Sequence, residues 1–112
     1  MTVMQKVSIE ALARQQLESA AASGRNAADT VVGGHERVLR QTVIGMLAGS
    51  ELGEHENPGE ATLYVLKGSI RLVSGDQHWD ARAGDLVFIP DARHSVLAQT
   101  DAALLLTVAK LP

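Results

Sequence analysis

The chain has 112 residues, the length of a single domain with one modest hydrophobic core. Apolar residues make up 46% and charged residues 21% of the sequence, a balance that excludes extensive disorder. The formal net charge is −3, and Tyr64, Trp79 and Phe88 are the aromatic residues. Both features argue against a nucleic-acid-binding surface, which needs positive charge and stacking rings.

The chain contains no cysteine, which excludes disulfide bonds, thiolate zinc sites and a cysteine nucleophile. No apolar run approaches the roughly 20 residues that span a bilayer. The first residues also lack the basic-then-apolar pattern of a signal peptide. These features predict a cytoplasmic protein that contacts neither membranes nor nucleic acid.

Residues 8–22 have the apolar periodicity of an amphipathic helix, with Ser8 as its N-cap and Gly24 as its C-terminal stop. Much of the apolar stripe is alanine, so we expect this helix to pack on a larger body or on a partner subunit. Residues 24–29 are interpreted as a linker. The predicted organisation is an N-terminal helix and linker over residues 1–29, followed by a β unit over residues 30–112.

From residue 30 onward the apolar period becomes two, and Gly, Pro and Asp separate the apolar runs. This pattern is typical of an all-β sandwich or barrel. The runs at 86–89 and 103–108 are apolar on both faces, which predicts that a second subunit covers their outer side. The predicted strands are 37–47, 61–66, 70–73, 78–81, 86–89, 95–99 and 103–108, with a further short strand bearing His55.

Two blocks of the sequence combine glycine turns with histidine. The first block runs from Gly49 to Gly68 and contains His55, and the second runs from Gly84 to His94. This pair of blocks resembles the two motifs of the cupin superfamily over roughly residues 30–110. The resemblance implies an all-β fold, a small double-stranded β-helix barrel of the cupin (jelly-roll) type, with one N-terminal helix and a homodimeric assembly.

The family motifs also supply three histidines and one glutamate to a metal ion. In this sequence His55 and His94 fit those positions, whereas Asn57 and Ala61 stand at the other two. Glu60 precedes Ala61, and strand alternation sends it to the opposite face unless the turn before it shifts the phase as a bulge does. The resemblance therefore implies iron, zinc, nickel or manganese held by His55, His94 and, with such a bulge, Glu60.

The same region also has the composition of a pocket for a small organic ligand. Alternation places the apolar strand residues Leu63 and Val65 inside the barrel and sends Tyr64 and Leu66 outward. Three functions remain open, and the first two are a binding or sensing module without chemistry and a metal-dependent oxygenase or isomerase acting on a small molecule. An effector module that binds a protein partner is a third reading. The predicted pocket residues are His55, Asn57, Glu60, Leu63, Val65 and His94.

Overall fold

The structure, a computed structural model, describes residues 5–55 and 59–110, and the side chains of residues 54 and 55 lie outside this description. Within these ranges, no helix is both long enough and apolar enough to cross a membrane. The elements in chain order are α1 (Ile9–Ser23), β1 (Asn26–Val32), β2 (Leu39–Met46), β3 (Glu51–His55), β4 (Gly59–Lys67), β5 (Ser69–Ser74), β6 (Gln77–Arg82), β7 (Leu86–Phe88), β8 (His94–Ala98) and β9 (Ala102–Lys110).

The strands form two antiparallel sheets. Sheet A has the strand order β1-β2-β9-β4-β7, and sheet B has the order β3-β8-β5-β6. Strand β9 lies between β2 and β4, and its register is continuous with β2 from Leu39 opposite Ala109 to Met46 opposite Ala102. The all-β architecture with one N-terminal helix, predicted from the period-two pattern and the turn residues, is confirmed.

The hydrophobic core lies between the two sheets. Strand β4 contributes Leu63 and Val65, which are 1% and 0% exposed, as alternation predicts. Residues facing them come from β5 and β8 of sheet B, so every second residue of each strand enters the same interior. The buried members of this core are Ile44, Met46, Leu63, Val65, Ile70, Leu72, Ala81, Val96, Ala98, Ala102 and Leu104.

Helix α1 packs on the outer face of sheet A. The Ser8 side chain accepts a hydrogen bond from the backbone N–H of Ala11 at 3.1 Å, and Gly24 ends the helix with φ of 81°. Ala13 and Ala20 are buried beneath the helix. The helix lies so close to β2 that a Cβ added at Gly45 would come within 2.5 Å of the Gln16 carbonyl group. The alanine-rich stripe predicted from the sequence therefore serves close helix-to-sheet contact.

Helix α1 also covers apolar residues on the outer side of β9. Ala103 is buried in a second cluster with Ala13 and Val43, and Leu66 and Leu105 pack against that cluster. The outer side of β9 was expected to need a second subunit. In the structure the N-terminal helix of the same chain covers part of it.

The residues expected to form a linker are mainly a strand. Asn26, Ala27, Ala28 and Asp29 belong to β1, which pairs with β2 from Asn26 opposite Met46 onward. Asparagine, aspartate and alanine are poor strand formers, so local preference gives no strand signal here. Pairing with β2 and packing of α1 supply the order that composition does not predict.

Candidate functional site

His94 begins strand β8 and is almost completely buried, with 1% of its surface exposed. It alternates with Val96 and Ala98, which are both members of the core between the sheets. Its imidazole therefore faces the barrel interior. A buried titratable ring in an apolar core needs polar partners, because an unsatisfied polar group there is costly.

The backbone before His94 orients its ring. His94 Nδ1 lies 2.9 Å from the carbonyl oxygen of Ala92. Because a carbonyl oxygen only accepts, Nδ1 carries the proton in this hydrogen bond, so in a neutral imidazole the lone pair is on Nε2. The Ser74 hydroxyl donates to the carbonyl oxygen of Arg93 at 3.0 Å, which ties the same segment to sheet B. This ring form is the one that binds metals or accepts a hydrogen bond from a ligand.

Strand β3 brings the backbone of His55 directly across from His94. Glu51 pairs with Leu97 and Leu52 with Val96, but the register shifts before His55, whose Cα partner is His94. If the first register had continued, residue 55 would stand across from Arg93. The irregularity between Leu52 and His55 therefore aligns the two histidine positions, and such bulges are common beside functional sites.

Glu60 does not lie beside His94. Its register with Ala109 continues without interruption through Ala61 opposite Val108, and Glu60 is exposed. Ala61 shares the interior face with Leu63 and Val65, so Glu60 lies on the outer face of sheet A. The phase shift that would have turned its carboxylate inward is absent from residue 59 onward. Asn57 lies outside the described residues.

The donor set does not match a complete four-ligand metal centre. Ala61, at the glutamate position of the family motif, has no donor atom, and Glu60 faces away. Among the described residues no group of three or more His, Cys, Asp or Glu side chains comes together. Of the four ligand positions in the family motifs, positions 55 and 94 keep a histidine in this sequence. The other two histidines, His35 and His78, are exposed elsewhere.

An ion pair lies on the opposite, outer face of sheet B. The Arg71 guanidinium binds the Asp80 carboxylate through Nε at 2.7 Å and one terminal nitrogen at 3.1 Å. The hydrogen bond from Arg71 lowers the pKa of Asp80 below its ordinary value, and the same bond raises the pKa of Arg71. This pair stabilises the β5–β6 hairpin surface and does not contribute to the interior site.

Sequence reasoning missed the groups that hold the histidine ring. The carbonyl oxygen of Ala92 is a backbone atom, which any residue type would supply, so no side-chain pattern reveals it. The Ser74 hydroxyl lies nineteen positions before its acceptor at Arg93. Only the pairing of strands β5 and β8 brings that hydroxyl next to the segment.

Comparison with known proteins agrees with this architecture. The model of the cupin domain family matches residues 42–109. No curated protein matches the chain. A conserved protein of unknown function from Streptococcus pyogenes has 19% identity and a TM-score of 0.75, over 100% of this chain and 92% of that one. An RmlC-like cupin from Desulfovibrio desulfuricans has 24% identity and a TM-score of 0.68, over 97% and 93% of the two chains.

An enzyme is also among the similar structures. A point mutant of salicylate 1,2-dioxygenase from Pseudoaminobacter salicylatoxidans has 19% identity and a TM-score of 0.75, over 94% of this chain and 34% of that one. At this identity the likeness concerns the fold. The family match spans most of the chain and includes β4, β8 and the two histidine-bearing blocks. This chain belongs to the cupin domain family.

Proposed function

We propose that the barrel binds a small organic molecule at an interior site formed around His94 and His55, and that it acts as a binding or sensing module. The observation that carries this proposal is the register shift in β3, which aligns position 55 with position 94. Directly opposite residues of an antiparallel pair share one face of the sheet. The face that His94 occupies is the barrel interior.

The surroundings of His94 support an uncharged or weakly polar ligand. Leu63, Val65 and Val96 share the barrel interior with His94, and each is at most 2% exposed. Few polar groups in an apolar pocket suit a small molecule that is held by shape and oriented by one or two hydrogen bonds. The Nδ1 bond to the Ala92 carbonyl oxygen fixes the imidazole for that orienting role.

We further propose that a divalent transition metal such as iron, zinc, nickel or manganese binds here only weakly. Stable sites use three or four protein ligands, whereas positions 55 and 94 supply two imidazoles. Water or the organic ligand would have to complete the coordination. Glu60 is left out of this site, since it is exposed on the outer face of sheet A.

Metal analysis tests the weak-binding proposal. Protein purified without chelator or immobilised nickel should hold far less than one metal ion per chain after extensive dialysis. Added Zn²⁺ should raise the melting temperature of wild type only at large excess, and His94→Ala and His55→Ala should remove that effect. His78→Ala is the control, because this imidazole is exposed on the outer face of sheet B.

A thermal-shift screen tests the ligand proposal. A panel of small alcohols, carboxylic acids, amines and aromatic compounds should include at least one that stabilises the wild type. That compound should lose its effect on His94→Ala and keep it on His78→Ala. A compound that stabilises both variants equally binds elsewhere, and this result would count against an interior site.

The alternative function is a metal-dependent oxygenase or isomerase. Its support is the buried, ring-oriented His94 together with the likeness in fold to salicylate 1,2-dioxygenase. Stoichiometric metal that survives dialysis and disappears in both histidine variants would favour this alternative over the binding module.

We also propose that the protein forms a homodimer through an uncovered patch on the outer face of sheet A. The patch is the part of that face beyond α1 and consists of Tyr64, Leu86 and Phe88, which are 39%, 53% and 78% exposed. Strand pairing brings Tyr64 next to Leu86, so the apolar surface is continuous there. Contiguous exposed apolar surface of this kind is typical of protein interfaces.

A further inference from the structure

A groove separates the two sheets where their edge strands β6 and β7 meet. Its volume is about 440 Å³, within the usual range of ligand and peptide sites. Strand β6 is the last strand of sheet B, and β7 is the last strand of sheet A. The apolar residues that line the groove are Trp79, Ala81, Leu86, Val87, Phe88 and Pro90, of which Leu86 and Phe88 also belong to the uncovered patch of sheet A.

The hairpin between β5 and β6 determines which backbone groups point toward the groove edge. Ser74 pairs with Gln77 across a two-residue turn, and Gly75 at the first turn position has φ of 60°. Two-residue hairpins of this kind close on a hydrogen-bonded pair, and hydrogen-bonded and non-hydrogen-bonded pairs then alternate. The backbone N–H and C=O groups of Gln77, Trp79 and Ala81 therefore form hydrogen bonds with β5.

The alternate residues His78, Asp80 and Arg82 direct their backbone groups away from β5. Arg82 confirms this direction, because its N–H donates to Asp85 Oδ2 at 2.9 Å and its carbonyl oxygen accepts from the Asp85 N–H at 2.9 Å. Asp85 thus pairs with the backbone N–H and C=O groups of Arg82, as a residue of a neighbouring strand would. For His78 and Asp80, the described residues provide no backbone hydrogen bond at this edge.

The side chains on the groove side of β6 are apolar. Trp79 and Ala81 alternate with His78 and Asp80, and Ala81 belongs to the core between the sheets. Trp79 is therefore directed to the same side, yet it remains 45% exposed. An added strand would place every second side chain against the Trp79 ring and into the groove.

The carboxylates beside the edge of β6 favour a basic partner. Among the described residues, those that line the groove include Asp80 and Asp85 and no lysine or arginine, and the Asp80 carboxylate itself lies on the outer face of sheet B, where the basic side chains of an added strand would lie. Arg71 holds the Asp80 carboxylate in place through two hydrogen bonds. Asp85 has no ion pair within the described residues, so its charge is offset only by the backbone N–H of Arg82.

We propose that the edge of β6 binds an extended peptide segment as an added strand, with alternating apolar and basic side chains. Apolar residues opposite Trp79 enter the groove, and basic residues opposite His78 and Asp80 lie beside the carboxylates. The backbone of those basic residues exchanges hydrogen bonds with His78 and Asp80. This surface is separate from the barrel interior, so the proposal stands apart from the ligand site at His94.

The single tryptophan of the chain provides the readout. The probe is a nine-residue peptide of alternating valine and lysine with blocked ends and no aromatic residue. Its addition should shift Trp79 emission to shorter wavelength in a saturable way. A peptide of the same composition with its valines and lysines grouped, and one that alternates valine and glutamate, should each bind at least about tenfold more weakly.

Backbone methylation of the probe tests the register directly. Methylation of the backbone nitrogens of the lysine residues removes the N–H donors that face β6. We expect the peptide to bind about tenfold more weakly, or weaker still. Methylation of the backbone nitrogens of the valine residues alters N–H donors that point away from β6. The affinity of the peptide should then change by less than about threefold. Equal effects of the two methylated peptides, or an unchanged Trp79 emission with the parent peptide, would overturn the proposal.

A protein variant gives the complementary test. His78→Pro removes one edge N–H that β5 does not use, so the melting temperature should change little while the peptide binds about tenfold more weakly. The methylated peptides keep the proposal testable if this variant fails to fold. If His78→Pro instead dissociates a dimer of the protein alone, a second copy occupies the edge and the peptide proposal is wrong.

Discussion

On the outer face of sheet A, β2 and β9 present Val43, Ala103 and Leu105, whereas on the outer face of sheet B, β5 and β6 present Arg71 and Asp80. Val43 and Ala103 are buried beneath α1, and Leu105 is partly buried against the same cluster. The second set is a bidentate ion pair in contact with water, whose side chains are 37% and 51% exposed. The two faces share the same antiparallel construction and differ in which side chains alternate outward.

This difference shows that an apolar outer face requires a covering element. Helix α1 covers β1, β2 and part of β9, and the cluster described beneath it includes no residue of β7. Tyr64, Leu86 and Phe88 on β4 and β7 consequently remain exposed. On the outer face of sheet B, Arg71 and Asp80 pair with each other and stay in contact with water without a covering element. The uncovered patch of sheet A is therefore where a second subunit is expected.

The largest expected effect is loss of the proposed homodimer in Phe88→Glu. The side chain is 78% exposed in the single chain, so the substitution should leave folding intact. A carboxylate buried without a partner in an interface costs several kcal/mol, so dimer dissociation should become at least about a hundredfold more favourable. Sedimentation velocity over a range of concentrations measures this change.

The control for that experiment is His78→Glu, which adds the same charge to an exposed position on the outer face of sheet B. It should leave the dimer unchanged. Equal dissociation by both variants, or a wild type that is monomeric at all concentrations, would show that the uncovered patch is not the interface.

The second prediction concerns the close contact between α1 and β2. Gly45→Ala places a methyl group 2.5 Å from the backbone carbonyl group of Gln16, so α1 must move or β2 must shift. We expect the free energy of unfolding to fall by about 1–3 kcal/mol. Gly53→Ala is the matched control, because an added Cβ at Gly53 meets no atom of the described residues within 4 Å. Urea unfolding should show a change of less than about 1 kcal/mol for the control.

The smallest expected effect is at the ion pair of sheet B. The pKa of Asp80 is lower in the folded protein, chiefly because of its hydrogen bond from Arg71. The pair therefore stabilises the fold above the pKa of an unfolded aspartate, roughly 3.9, and loses this contribution as the pH falls through the folded value. Asp80→Asn should melt slightly below wild type at pH 7.

Acid titration of thermal unfolding checks this last prediction. The difference in melting temperature between wild type and Asp80→Asn should shrink as the pH falls toward the folded pKa. A difference that grows in acid would mean that Asp80 acts through something other than its charge. Arg71→Gln should reproduce the same pH dependence, because it removes the other partner.

Much of the fold follows from the sequence because strand alternation and turn residues are local signals. Leu63 and Val65 lie inside as predicted, and Ser8 and Gly24 bound the helix. Strand β1 escaped prediction because Asn26, Ala28 and Asp29 have low strand preference and are ordered by tertiary pairing. Composition also does not reveal that a helix of the same chain covers β9.

The site was harder to predict because it depends on register. The sequence indicates a bulge at the turn before Glu60, where proline and glycine permit one. The register shift that aligns position 55 with position 94 lies earlier, between Leu52 and His55. Turn residues show where a strand can deform, whereas pairing with β8 decides where the deformation occurs. The roles of His55 and His94 as metal ligands and of Asn57 as a pocket residue stay predictions.

The central place of β9 has a consequence for how the protein forms during synthesis. Of the strands described, residues 102–110 are the last to leave the ribosome, yet β2 and β4 are joined only through them. Until that strand emerges, the two halves of sheet A have no common neighbour, and their apolar faces stay open to aggregation. Closure of this sheet therefore waits for β9, and a nascent chain stalled before residue 102 should need chaperone protection.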